Sequence, residues 1–146
     1  GIGWADSEIL RFNGFNVHEA GVQDSLFLMV AAGRFDLFCR GINELEPELL
    51  RNKDIAKLDY DRSMAISYPL PRFFFANKQN RALLDRITRG MQLAYQDGSL
   101  RKLWLDQYRE ALRFANLKQR KIFYLKTPHI DQIDFDYQQY YFDPRK

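Results

Sequence analysis

The residues best placed to do chemistry stand together in "CRGINE": Arg40, Gly41 and Asn43 lie between the apolar run "FDLFC" and an amphipathic stretch that opens at Ile42. An arginine presents a planar fork of donors that fits a carboxylate or a phosphate. A glycine beside it lets a ligand approach the backbone. A helix beginning at Ile42 would add its free N–H groups and the positive end of its dipole. The chemistry is therefore capture of a small anion. The same spacing admits a plainer outcome, in which Arg40 pairs with Glu44 or Glu46 and only orders the helix start.

A second turn-to-helix junction opens the chain, "GIGWAD". Trp4 there either stacks on a ligand or plugs the core at a helix start, with Ala5 as the first residue beyond it. The segment lacks the third glycine and the preceding strand of a dinucleotide fingerprint. Asp6 and Ser7 are expected as helix caps.

Bond-making chemistry is poorly supplied. Ser25 lies inside an apolar helical pattern, Cys39 has no histidine in its motif, and His18 and His129 stand in unrelated segments. Neither histidine has metal-ligand spacing to another ligand. Asp59 and Asp61, like Asp134 and Asp136, alternate as solvent-facing positions do, so no pair of catalytic carboxylates emerges. The expectation is a binding protein, not an enzyme, with no cofactor and no metal.

The elements that must position Trp4 and Arg40 follow from periodicity. Residues 4–13 read as a helix stopped at Gly14, "FNVHE" (15–19) as a short strand, and "VQDSLFLMVAAG" as a helix stopped at Gly33. "FDLFC" (35–39) reads as a buried strand and "INELEPELLRN" as a helix that tolerates Pro47 only in its first turn. This alternation predicts an α/β fold with a small, mainly parallel sheet covered by helices. "SMAISY" and "RFFFANK" (72–78) are extended candidates joined across Pro69 and Pro71, where a hinge is expected. From Asn80 the pattern is helical, broken at Asp97–Gly98–Ser99, with Ser99 as the cap of a further helix. The aromatic tail from Lys121 is expected to wrap a surface without making a core of its own.

The chain of 146 residues is 46% hydrophobic and 28% charged, which suits one folded domain. Its net charge of +3 is interspersed along the sequence, which argues against nucleic acid as a partner. Cys39 is the single cysteine, and a small core side chain is its expected role. Apolar runs fall short of a membrane span, and no signal peptide is recognisable at Gly1.

Three segments together resemble the periplasmic solute-binding proteins of the type II, amino-acid-binding class: "GIGWADSEILRFNGFNV", "DSLFLMVAAGRFDLFCRG" and "LPRFFFANKQNRALLDRITRGMQLAYQDGSLRKLWLDQY". The resemblance implies that residues 1–68 form a second ligand-binding lobe and 69–146 the hinge return and C-terminal part of a first lobe whose earlier portion is missing. It implies a periplasmic location, a small solute held in an interlobe cleft by Arg40, Gly41, Trp4, Ala5 and Asn43, and an ABC transporter permease or a signalling receptor as partner. A periplasmic sensor domain of a signalling protein is one alternative, and an interaction module that forms a homodimer over the open face left by the missing lobe is another. Where the class commonly carries an aspartate after the corresponding strand, this chain has Arg40 and Gly41. Where it carries a Gly-Ser or Gly-Thr hydroxyl, this chain has Gly3, Trp4 and Ala5. An anionic solute follows from these two departures.

Overall fold

The computed structural model describes residues 1–145. Its elements, in chain order, are α1 (Ala5–Phe12), α2 (Gln23–Ala31), α3 (Ile42–Arg51), β1 (Met64–Ser67), α4 (Arg81–Gln96), α5 (Ser99–Ala115) and β2 (Lys121–Tyr124). Short 3-10 turns follow at Leu117–Gln119, Ile130–Gln132 and Tyr137–Tyr140. The fold is mixed α/β with one two-stranded parallel sheet.

The sheet is smaller than the sequence predicts. Residues 15–19, 35–39 and 72–78 contain no strand, because an extended segment becomes one only when a neighbour completes its hydrogen-bond ladder. Phe38 illustrates the difference. Its ring packs edge-on against Phe27, centroids 5.1 Å apart, and stacks toward Trp4, so the apolar run is used for side-chain packing while its backbone pairs with no strand. Cys39 is exposed, not in the core.

The partner that β1 does find comes from the aromatic tail. Met64 faces Lys121 and Ser67 faces Tyr124 in parallel register, so the first four tail residues build the sheet instead of wrapping it. A parallel pair needs a long crossover, and α4 and α5 supply it. The sheet thereby ties residues 1–68 to residues 69–145. Beyond β2 the ladder is continued by a side chain: the Asn13 amide donates to Lys126 O at 2.7 Å and accepts from Lys126 N–H at 3.0 Å. The remaining tail does run over the surface. Phe142 packs edge-on against Trp104, and the Tyr95 hydroxyl donates to Gln139 O.

Helix boundaries follow local chemistry with two corrections. Gly98, at φ +79°, takes the left-handed conformation that separates α4 from α5. Ser99 is not the cap, however: its N–H is received by the Asp97 carboxylate at 2.8 Å, and α5 begins on Ser99 itself. Pro47 sits in the second turn of α3, past the expected first turn, and deprives the Asn43 carbonyl of its helical donor. α3 tolerates this because the ion pairs described below and its packing on α5 hold it in place.

The apolar core is modest. Ile9, Leu26, Phe27 and Ala115 are its buried members, while Leu70, Phe73, Phe74 and Phe75 stand exposed on the segment leaving β1, Phe75 at 95%. Among the described residues no helix is long and apolar enough to cross a membrane.

Candidate functional site at two helix starts

The starts of α1 and α3 meet at Arg40. The chain enters α3 with Gly41 in extended backbone, which leaves the N–H groups of Ile42 and Asn43 without a protein partner among the described residues. Arg40 immediately precedes this turn and lies mostly buried, its side chain 10% exposed. Trp4, at the corresponding position before α1, lays its ring over the guanidinium at 5.0 Å, and Phe38 lies 5.3 Å away. Stacking on an aromatic face is a favourable environment for a weakly hydrated guanidinium.

Most of the fork is already occupied. Arg40 Nε donates to Glu48 Oε2 at 2.7 Å and Nη2 to Glu48 Oε1 at 2.6 Å, while Gln23 Nε2 donates to the same Oε1 at 2.9 Å. Glu44 Oε1 lies 3.0 Å from Nη2, and Glu44 Oε2 accepts the Gly41 N–H at 3.1 Å. Nη1 has no protein hydrogen bond among the described residues. Glu48, chiefly through these hydrogen bonds, holds the guanidinium even more firmly protonated than usual. The plainer pairing thus occurs, with Glu44 and Glu48 as partners and without Glu46.

The other junction is closed by Tyr68. This residue follows the carboxyl end of β1, and its hydroxyl donates to the Asp6 carboxylate in the first turn of α1. Asp6 is therefore a partner of the strand end and not the expected cap; α1 has no side-chain cap at all. Ser7 is buried within the same turn. Burial and the Asp6 carboxylate push the Tyr68 phenol well above its ordinary range, so the hydroxyl stays a donor.

Of the residues singled out from sequence, Trp4, Arg40, Gly41 and Asn43 come together. A Cβ at Gly41 would fall 2.8 Å from Asn43 Oδ1 and 3.0 Å from Glu44 Oε2, so the bare backbone there permits the close carboxylate. Ala5 is exposed and contributes only the start of α1. Glu44 was expected only as a pairing partner of Arg40 and Asp6 only as a cap, while Glu48 and Tyr68 were not anticipated as members of the site. The two glutamates had a readable signal, since residues four apart share a helix face. Among the described residues no cluster of three or more ligating side chains could hold a metal ion.

No known protein family, curated protein or solved structure gives a match to this chain.

Proposed function

We propose that the chain is the solute-capturing part of an extracytoplasmic binding protein of the type II class it resembles, taking a small polar anion in a cleft between lobes. Residues 1–68 form the ligand-facing lobe and residues 69–146 carry the hinge return. The protein acts in the periplasm and hands its solute to an ABC transporter permease.

One observation carries the anionic reading. The fork and helix start at Arg40 and Gly41 hold a carboxylate, that of Glu44, on one guanidinium nitrogen and one backbone N–H. Glu44 is the less buried of the two glutamates, 42% exposed against 8% for Glu48. A solute carboxylate would displace Glu44 and use the unpartnered Nη1 and the N–H groups of Ile42 and Asn43, while Glu48 keeps the arginine in place.

The test is isothermal titration with acetate, malonate, succinate and glutamate. Glu44→Gln removes the internal competitor and is expected to tighten the best of these several-fold, whereas Arg40→Lys, which loses the fork, weakens it about tenfold or more. Failure of all four anions to bind, or affinities unchanged in both variants, would overturn the anionic reading.

The exposed run Leu70–Phe75 favours one alternative, an interaction module that covers this face by pairing with a second copy. Its discriminating quantity is the molar mass in solution.

A further inference from the structure

One face of the sheet carries a notch. Residues two apart on a strand share a face, so Ala65 and Ser67 of β1 lie beside Ile122 and Tyr124 of β2. The β1 pair is small and the β2 pair large. The difference leaves a cavity of about 160 Å³, open on one side, roofed by the tail at Tyr141 to Arg145 and walled by Ile42 at the start of α3.

Its chemistry narrows the occupant. An apolar cavity of roughly 150 Å³ holds one benzene. The charged groups at the mouth are compensated, since Arg145 grips the Asp143 carboxylate through Nε at 2.9 Å and Nη2 at 2.7 Å and also donates to the Tyr124 hydroxyl at 2.7 Å. Ser67 is different: it lines the cavity, its side chain shares the face of Ala65, and its hydroxyl makes no hydrogen bond among the described residues. We infer that this notch is a second binding site, for a neutral, benzene-sized molecule with a single hydrogen-bonding atom, the chemistry of a phenol, with its ring over Ala65 beside the Ile122 side chain and its hydroxyl on Ser67. The inference is independent of the anion reading at Arg40.

The test follows the isoleucine δ1-methyl NMR signals during titration with phenol and, separately, benzene. Ile42 and Ile122, which line the cavity, are expected to shift saturably, while the buried Ile9 and Ile66, whose side chain leaves the opposite face of β1, do not. Ala65→Leu fills the notch and is expected to abolish both titrations. Ala65→Val, a smaller insertion, serves where leucine disturbs the native spectrum. Ser67→Ala is expected to weaken phenol roughly fivefold, the worth of one hydrogen bond, and to leave benzene unchanged. Shifts that stay linear, spread evenly over all isoleucines or survive a filled notch would overturn the site. Equal loss of phenol and benzene in Ser67→Ala would overturn the role given to the hydroxyl.

Discussion

Arg40 spends two of its donor directions on Glu48 and shares one of them with Glu44, which makes the arginine a fixture of the fold as well as a binding group. Its setting was legible: a glycine, then a helix start, directly after an apolar run. Its partner was half legible. Glu44 and Glu48 share a face of α3 while Glu46 turns away, a distinction that the helical period supplies once the helix start is fixed. The Tyr68–Asp6 contact had no such signal, because nothing in the local pattern of either residue points to the other. That contact gives a pH prediction. The folded-state pKa of Tyr68 is raised above its unfolded value, so the stability it contributes is complete below about pH 10 and is lost as pH rises beyond it. Thermal unfolding between pH 8 and 11 should show a steeper alkaline decline in the wild type than in Tyr68→Phe.

Elements here depend on side chains that stand in for missing backbone partners. Arg120 is the clearest case, donating to Ala115 O at 2.5 Å and, through Nη1, to Asp61 O at 2.6 Å and Met64 O at 3.0 Å. It thereby joins the end of α5 to the entrance of β1. Arg120→Ala leaves those carbonyls without their charged donor and should cost about 2–3 kcal/mol in urea unfolding. Arg120→Lys, with fewer donors and no fork, should fall between the two. The helices were legible because their apolar periodicity and their glycine stops agree. The strands were not, since short apolar runs such as "KIFY" and "FDLFC" look alike until one of them finds a ladder partner. "KIFY" found β1, while "FDLFC" put its phenylalanine against Phe27 and Trp4.

At the scale of the whole molecule, few side chains are buried and many large apolar ones are not. Leu70, Phe73, Phe74 and Phe75 stand exposed within six residues, more apolar surface than an isolated surface hydrophobe presents. The chain on its own should therefore enhance the fluorescence of anilinonaphthalene sulfonate and show a mass that rises with concentration in light scattering. Replacing Phe73, Phe74 and Phe75 by serine should suppress both. A wild-type chain that stays strictly monomeric and silent to the dye would remove the basis for a covered face. Charge is also unevenly spread in a way that interspersed signs conceal. Residues 1–60 hold ten acidic and six basic side chains, and residues 81–121 ten basic and four acidic. The packing of α3 on α5 sets a member of the acidic segment against a member of the basic one. The parallel pairing of β1 with β2 also governs the order of events as the chain forms. Met64 must wait for Lys121, so during synthesis the sheet cannot begin until both crossover helices have been made. Closing so long a loop carries an entropic cost that local helix formation does not, and the helices are ready well before the step that locks them together. Until then Ala65 and Ile66 remain an unpaired apolar segment, and the interval before Tyr124 emerges is when this chain most needs protection from its neighbours.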